Sequence, residues 1–459
     1  MSTVGGAPVT APDSLDPVVD FVADGDLLLM PARERARLLL IDALVLACAA
    51  DTAPGGADLV ELGAGTGPHR CWFSNARLGP ADAVQANAAA TCARFQEDTD
   101  MGSWSHPGSF VVPAAVAAAV EAGTSLGRLI DGLIVGYAVT SWLGGAGAVA
   151  AAMMTRGHRP SPTFAPAGAG AAAARVLGLN RAQARHALAA ALLLGRGSLH
   201  SVGSGGEDWR LHNPGAARDG FLAALAAARG MGTGGDALSG PLGFLSVFAG
   251  MDHAPSSYAK PPTAELVLDV WHKALPTLGD NMAVAVVARE LHARLDGGIP
   301  DRVEVTMNGE FARFPGTQTR PPYPSLTSAL ASVRFVTAQL LLTGRLDFAD
   351  YARRDDPVVT ALADRIEVRP DDALDFTDAV VTIETAGTRT TLAARELPAT
   401  LFHRDAAEQR RVAGEILGAR GVALVDAVLD ADESDPAAAV IDGALDRFHS
   451  AHPTIPSMR

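Results

Sequence analysis

Cysteines and basic clusters are scarce in this sequence. The three cysteines, Cys48, Cys71 and Cys92, are an odd number and lack the spacing of a metal site. Such isolated thiols are typical of a reducing compartment, so we expect a cytoplasmic protein. Lys and Arg total 37 against 51 Asp and Glu, the net charge is −14, and no basic run could track phosphates. Nucleic acid is therefore not an expected partner.

The signatures of several nucleotide and metal enzymes are missing as well. The chain has no Gly-Lys-Ser/Thr phosphate loop, no His-Glu-x-x-His pair and no cluster of cysteines and histidines. These patterns supply the phosphate cradle or the metal ligands in the enzymes that use them. The sequence thus predicts no metal site and no nucleotide hydrolysis.

Two segments bear on targeting and membranes. Residues 1–15 lack the basic start and apolar centre of a signal peptide, and we expect a flexible tail. Residues 133–154 carry no charge and are long enough to span a bilayer. However, four glycines interrupt this segment and much of the remainder is alanine. This composition favours a buried helix or helix pair, and we predict no membrane association.

Alanine-rich segments punctuated by glycine and proline fill roughly the first 265 residues. They are poor in β-branched residues and predict an all-helical region. The predicted helices are 31–50, 82–93, 113–122, 126–141, 168–177, 181–194 and 215–229, with 281–295 beyond them.

The pattern changes after residue 300. Residues 301–308 and 364–369 alternate like half-buried strands, and a helix capped by Ser325 is predicted over 325–343. Residues 379–392 predict a hairpin that turns at Ala386-Gly387. These features together indicate an α+β module.

Helical patterns return after Pro398, at 406–417, 421–429 and 436–448. We therefore predict a mainly α protein with two domains. The all-helical domain comprises 1–265 and 398–459, and an α+β domain comprises 266–397.

One irregular stretch, residues 95–109, concentrates the polar groups. It reads Phe-Gln-Glu-Asp-Thr-Asp-Met-Gly-Ser-Trp-Ser-His-Pro-Gly-Ser between alanine-rich helical segments. Reactive groups are often held on such short loops between rigid elements. His106, His158 and His212 stand in turn-like breaks, which favours functional roles for them over the remaining histidines.

Two glycine-rich stretches suggest other chemistry. Residues 59–67 (LVELGAGTG) look like the first motif of class I methyltransferases, and this remains an alternative interpretation. That fold requires alternating strands and helices, whereas the next 200 residues or so have helical patterns. Residues 145–150 match a dinucleotide fingerprint in spelling only, since no acid lies between Asp131 and Glu207 to bind the ribose.

Several motifs occur in a fixed order along the chain. They are Glu97-Asp98-Thr99 with His106-Pro-Gly-Ser109, Thr155-Arg-Gly-His-Arg-Pro160, residues 211–220 (LHNPGAARDG), Trp271-His-Lys273 and Pro322-Tyr-Pro324. With the segments 38–50, 80–90 and 168–179, they resemble the MmgE/PrpD family. That family includes 2-methylcitrate dehydratases, cis-aconitate decarboxylases and iminodisuccinate epimerases. The resemblance extends over nearly the whole chain.

The resemblance implies a fold and a type of chemistry. It implies an all-helical domain with an α+β lid domain, a homodimer, an active site in the cleft between the domains, and no cofactor. The shared step makes or breaks a bond at the carbon next to a carboxylate, with loss or gain of a proton. By this resemblance His106 is the acid/base, Asp98 and Thr99 orient it or the substrate, and Lys273 pairs with a substrate carboxylate.

Some family positions are changed here. Phe95 stands where many relatives have an acid, four residues before Thr99. Arg159 stands where histidine is usual, and His158 is displaced by one residue. A one-residue slip in this turn would exchange them, so the sequence leaves open which of the two faces the cleft.

Two further positions also differ. Trp209 replaces a family lysine, with Arg210 beside it, and Gln318 falls near a tyrosine of decarboxylase-type relatives. One cation is lost or moved and one acid has become apolar, so a tricarboxylate is not the expected substrate. The predicted substrate-binding residues are Glu97, Ser109, His158, Arg159, Trp209, Arg210, His212 and Gln318.

Three interpretations follow in order of preference. The first is a cofactor-independent lyase of the dehydratase type, acting on a less highly charged small carboxylate, in a specialised biosynthetic pathway. The second is a decarboxylase or epimerase that uses the same proton chemistry with a different fate for the carbanion. The third is a homologue that binds without catalysis, which the retention of His106, Asp98, Thr99 and Lys273 disfavours.

Overall fold

The structure, a computed structural model, describes residues 14–50 and 66–450. Nearly all of the glycine-rich stretch 59–67 lies outside the described residues, and so does most of the predicted tail 1–15.

Helices dominate the described part of the chain, and the prediction of a mainly α protein is confirmed. Three helices begin earlier than predicted because each contains an internal proline, Pro113, Pro166 or Pro214, that we took as a start or break. Burial of these helices outweighs the backbone hydrogen bond that each proline removes. The α-helices are Asp16–Asp24, Met30–Cys48, Pro80–Cys92, Gly108–Ala122, Leu126–Leu143, Ala148–Thr155, Pro160–Val176, Arg181–Leu192, His200–Ser204, Trp209–Ala228, Met282–His292, Gly309–Arg313, Leu326–Ala331, Val333–Thr343, Pro357–Arg365, Ala406–Leu417, Ala419–Leu429 and Ala437–Ser450.

The helix Pro160–Val176 lies at the centre of the helical part. It packs against six other helices, and nearly all of its residues are buried. Small residues allow these helices to approach each other closely. A Cβ on Gly168 would lie 2.2 Å from Thr140 Oγ1, and a Cβ on Gly220 would lie 2.2 Å from the Pro166 carbonyl oxygen. The alanine and glycine content that marked this region in the sequence therefore sets the distance between its helices.

A four-stranded sheet forms in the C-terminal half. Its spatial order is Ile366–Asp371, Arg302–Asn308, Ala379–Thr385, Thr388–Ala393, with the first pair parallel and the others antiparallel. Parallel neighbours require a crossover, which here contains the helices between residues 309 and 365. Alternate residues of the central strands are buried, and the helices Met282–His292 and Val333–Thr343 pack on the sheet.

Two local predictions in this region had different outcomes. The hairpin turns at Ala386 and Gly387, as predicted, and both residues have positive φ. The single helix predicted over 325–343 is instead two helices, because Ser332 is extended and its side chain accepts from the Phe335 N–H to cap the second one. Ser325 caps the first.

After the sheet, the chain returns to the helical part. The three C-terminal helices pack against Met30–Cys48 and Gly108–Ala122. Arg404, which is buried, donates to the Asp42 carboxylate at 2.6 Å. This pair joins the start of the C-terminal segment to the second helix of the chain. How the described elements divide into domains at 265 and 398 stays a prediction.

The uncharged segment 133–154 forms a bent helix pair, one of the two forms predicted. Leu126–Leu143 and Ala148–Thr155 meet at 62°, and Gly145, Ala146 and Gly147 between them all have positive φ. In residues 14–50 and 66–450, no single helix has the length and apolar character needed to cross a membrane, although this bent pair meets both criteria when taken together.

The bend also touches the stretch 95–109. A Cβ on Gly144 would lie 2.0 Å from the Gly102 carbonyl oxygen and 2.3 Å from the Ser103 Cα, both backbone atoms. Gly144→Ala should therefore separate the helix end from this stretch and cost about 1–3 kcal/mol of unfolding free energy, measured by urea denaturation.

Gly443→Ala is the matched control for this change. Gly443 lies on the exposed side of Ala437–Ser450, and an added Cβ would meet no atom within 4 Å. Since alanine is favoured over glycine within helices, this control should be neutral or stabilising by up to about 1 kcal/mol. If Gly144→Ala and Gly443→Ala were equally stable, Gly144 would not be in close contact with the backbone of residues 102–103.

Candidate active site

Residues 95–109, called the site loop below, run from the end of Pro80–Cys92 to the start of Gly108–Ala122. Within the site loop, Thr99–Asp100 pairs antiparallel with Val270–Trp271. This short ladder brings the site loop next to the segment that carries Lys273, although the two are far apart in sequence.

A cavity of about 360 Å³ borders the site loop. One side of its wall comes from the helical part of the chain and the other from residues 278–314, so it lies between the helices and the α+β region. A volume of this size suits a small ligand. The wall is formed by Phe95, Thr99, Met101, Trp104, His106, Ala151, Met154, Thr155, Arg159, Pro160, Ser161, Val202, Leu278, Gly279, Asp280, Glu310, Phe311, Arg313 and Phe314.

His106 is held in one orientation at this wall. Its Nδ1 lies 2.9 Å from the Asp98 carbonyl oxygen, and because a carbonyl can only accept, Nδ1 carries the proton. Thr99 Oγ1 lies 3.2 Å from the same nitrogen. The backbone N–H of His106 donates to Ser161 Oγ at 2.9 Å. Both the ring and the main chain of His106 are therefore fixed.

The charge state of His106 follows from its surroundings. Burial, with the nearby positive charges of Lys273 and Arg159, holds the pKa of His106 well below its usual value. The ring is therefore neutral at pH 7. With the proton on Nδ1, the lone pair on Nε2 is available to accept a proton, which is the state that a general base needs.

Asp98 supports this arrangement from behind the wall. One carboxylate oxygen accepts from the Gly108 N–H at 2.8 Å, and the other accepts from the Tyr137 hydroxyl at 2.5 Å. The side chain is 2% exposed and does not line the cavity. Burial raises the pKa of Asp98 to about 8. Asp98 thus anchors the start of the next helix while its carbonyl orients His106.

Phe95 stands among the ionisable groups of the site. Its ring centroid lies 4.6 Å from Lys273 Nζ and 5.9 Å from the Arg159 guanidinium carbon. The rings of His106 and Trp209 meet it edge-on, at 5.8 and 4.7 Å. An apolar ring, at the position where the resemblance expects an acid, therefore forms part of the cavity wall.

Lys273 lies behind this ring and is not a wall residue. It is 1% exposed, and its ammonium donates to the Phe95 carbonyl at 2.8 Å and to the Thr277 carbonyl at 3.3 Å. Its nearest carboxylate is Glu97, at 3.9 Å, and burial raises the pKa of Glu97. In this conformation Lys273 is not placed to pair with a substrate carboxylate, because its donors are directed to backbone carbonyls.

Arg159, not His158, lines the cavity. Arg159 is 6% exposed, and only Nη1 has a hydrogen bond among the described residues, to the Trp209 carbonyl at 3.3 Å. His158 instead pairs with Ser198 in an isolated bridge and packs edge-on against Phe248. The sequence left open whether His158 or Arg159 faces the cavity. The contacts of His158 with Ser198 and Phe248 direct it away, and Arg159 faces the cavity.

Three predicted residues at or just before the motif 211–220 lie outside the wall. Trp209 is buried and its Nε1–H donates to Thr327 Oγ1, so it packs behind Phe95 rather than facing the cavity. Arg210 donates to the Glu207 carboxylate and to the Ala93 carbonyl. His212 lies 3.3 Å from the Asp208 carboxylate. These partners occupy part of the polar groups that we expected to meet substrate, although Arg210 Nη2 and His212 Nδ1 are buried without a hydrogen bond among the described residues.

Ser109 and Gln318 also have internal partners. The Ser109 hydroxyl donates to the His106 carbonyl and accepts from Asn213. The Gln318 amide donates to the Ala312 carbonyl at 2.8 Å. The structure therefore brings Thr99, His106 and Arg159 together at the cavity and leaves the other predicted site residues in supporting positions around it.

Comparison with known protein families identifies the N-terminal half of the chain. Residues 19–256 match the model of the MmgE/PrpD N-terminal domain, which is just over half of the chain. The chain belongs to the MmgE/PrpD family. This confirms the resemblance drawn from the motifs, and the family includes dehydratases, decarboxylases and epimerases. A search of curated proteins finds no significant match.

Sequence reasoning missed several wall residues of this MmgE/PrpD chain. Asp280 carried no signal because Gly279–Asn281 is a single turn with no periodicity. Phe311 and Phe314 belong to or follow a five-residue helix, Gly309–Arg313, that was too short to predict. Across residues 14–50 and 66–450, no group of three His, Cys, Asp or Glu side chains is placed to hold a metal ion.

The raised pKa of Asp98 has a consequence for stability. The folded protein keeps a proton on this carboxyl up to about pH 8, whereas the unfolded chain releases it near pH 4. Raising the pH through this window therefore destabilises the fold, by up to about 1.4 kcal/mol per pH unit from this group. Asp98→Asn mimics the protonated form and should remove this contribution.

The check is urea unfolding of both proteins at pH 5 and pH 7.5. Other carboxyls contribute to both curves, so the informative quantity is the difference between the wild-type and Asp98→Asn slopes. Wild type should lose stability relative to the variant as the pH rises. Parallel slopes would contradict the assignment of a buried, protonated Asp98.

Proposed function

We propose that this MmgE/PrpD protein is a cofactor-independent lyase of the dehydratase type, acting at the carbon next to a carboxylate of a small substrate. The observation that carries the proposal is the neutral His106, fixed through Nδ1 with Nε2 free to accept a proton, on the wall of a cavity that also holds Arg159. Removing the proton next to a carboxylate requires a base and a cation for the developing charge.

Arg159 is the group proposed to bind the substrate carboxylate. Its guanidinium borders the cavity with donors left free, and its fork geometry suits a carboxylate. Its charge would also stabilise the enediolate that forms when the neighbouring carbon loses its proton.

The rest of the wall supports a substrate of low charge. Aromatic and aliphatic side chains cover much of it, among them Phe95, Trp104, Met154 and Phe311. The other wall arginine, Arg313, is paired with Asp372 at 2.6 Å. One unpaired buried cation and an apolar wall together fit a monocarboxylate with an apolar group better than a tricarboxylate.

Deuterium exchange tests the reaction class. Enzyme is incubated in D₂O with 3-hydroxy monocarboxylates that carry phenyl or alkyl groups, and with malate and 2-methylcitrate as polycarboxylate comparisons. NMR then follows deuterium at the carbon next to the carboxylate and formation of the unsaturated acid. Elimination supports the proposal, and exchange alone would favour the epimerase interpretation. Neither event with any acid would contradict the proposal.

His106→Gln should abolish both exchange and elimination with little change in melting temperature. Because the pKa of His106 is held below its usual value, the base form persists on acidification, and kcat/KM should begin to fall only well below pH 6.5. The pH profile of kcat/KM and thermal melting check this. His253→Gln, which changes an exposed histidine outside the wall, is the control. A variant that melts early while its folded fraction stays fully active would overturn the role of His106.

Arg159→Gln should raise KM by about 10- to 100-fold, the range for a lost charge-assisted hydrogen bond. Arg313→Gln, which removes the half-exposed arginine of the same wall, should raise KM by less than about fivefold. Steady-state kinetics on the best acid of the panel measure both effects. A larger effect at Arg313 would move the carboxylate to the opposite side of the cavity.

A further inference from the structure

Asp280 presents a second ionisable group to the same cavity as His106. It lies on the turn Gly279–Asn281, whose end is fixed because the Asn281 amide donates to Thr277 Oγ1 at 3.1 Å and to the Ala331 carbonyl at 3.0 Å. Asp280 is half-buried at the cavity wall, and its carboxyl has no ion pair or hydrogen bond to another described residue, accepting only from its own backbone N–H. The turn is held in place, and no other described residue binds the carboxyl.

The turn packs directly against the site loop. A Cβ on Gly279 would lie 3.1 Å from Thr99 Oγ1, and Thr99 is in turn 3.2 Å from His106 Nδ1. Asp280 and His106 therefore approach one cavity from the α+β side and the helical side, with Thr99 between their backbones. A ligand in the cavity can contact both.

The surroundings shift the pKa values of Asp280 and His106 in opposite directions. Burial raises the pKa of Asp280 to about 7, against the opposing positive charge of Lys273, while the pKa of His106 is lowered. Near neutral pH the His106 ring is therefore neutral and can accept a proton. Much of the Asp280 population is protonated at the same pH. Opposed pairs of this kind mark acid and base roles. The other charged groups at the wall are Arg159, Glu310 and Arg313.

We propose that Asp280 is the general acid that protonates the leaving group during elimination. This assignment rests on the proposed function. His106 Nε2 takes the proton from the carbon next to the carboxylate, and the electron pair left behind forms the carbon–carbon double bond. The bond from the neighbouring carbon to its hydroxyl oxygen breaks, and Asp280 supplies the proton with which that hydroxyl leaves as water. Proton transfer from His106 to Asp280 through solvent restores both groups.

Asp280→Asn separates the two halves of the reaction. Elimination should fall by on the order of 10²- to 10⁴-fold, the usual effect of losing a general acid, while His106-dependent exchange in D₂O stays within a few-fold of wild type. The probes are the phenyl- and alkyl-substituted 3-hydroxy acids used above. Glu290→Gln removes an exposed carboxylate on the helix that follows and should change neither rate.

Each alternative outcome has a distinct meaning. Unchanged elimination in Asp280→Asn, with exchange intact, overturns the role of Asp280 and leaves the proposed function standing. Loss of both exchange and elimination, without loss of folding, makes Asp280 part of proton removal and also overturns it. No exchange or elimination in wild type overturns the proposed function itself, and the acid role with it.

An infrared measurement tests the protonation of Asp280 without turnover. The difference spectrum between wild type and Asp280→Asn at pH 6 should contain the carbonyl stretch of a protonated carboxyl, which should decline as the pH rises through about 7. Absence of this band overturns the proposal. If Asp280→Asn folds poorly, Asp280→Ser serves in both experiments.

Discussion

The candidate active site depends on the hydrogen bonds made through one residue, Asp98. Its side chain accepts from the Gly108 N–H and the Tyr137 hydroxyl, and its carbonyl accepts from His106 Nδ1. The first two bonds tie the site loop to the helix that follows it and to the buried helix Leu126–Leu143, and the third lies within the loop. The proton of His106 is thereby fixed on Nδ1, and the ring is held in one orientation.

Close packing of small residues supports this arrangement from outside the site. Gly144 allows the bent helix pair to touch the backbone of residues 102–103, and Gly168 and Gly220 allow three helices to meet behind it. A larger side chain at Gly144 would push the site loop away from the helix end, and larger side chains at Gly168 or Gly220 would separate the helices. Small residues thus set the distances between the helices that support the site, because protein interiors tolerate little extra volume.

Phe95 distinguishes this chain most clearly from the pattern expected of its family. Its ring covers Lys273, which in turn bonds the Phe95 carbonyl, so a cation expected to meet substrate is directed into the protein. The charge that faces the cavity from the helical side is that of Arg159. The apolar residue at this position therefore affects which cations line the cavity.

Much of the fold and part of the site could be predicted from the sequence. The helices follow from local composition, the hairpin at Ala386-Gly387 follows from residues that accept positive φ, and the family follows from motifs in a fixed order. His106 and Thr99 were singled out because they stand in one short polar loop whose motif resembles that of the family. These features are local, so a reading of neighbouring residues was enough to find them.

Tertiary structure decided the rest. Arg159 faces the cavity because its turn is bonded to Gly197 and Trp209, residues that no local pattern connects to it. Lys273 is turned inward by the ring and carbonyl of Phe95. Asp280 reaches the cavity on a turn that packs through Gly279 against Thr99. The direction of a side chain in an irregular segment depends on contacts that are distant in sequence, and only the folded chain supplies them.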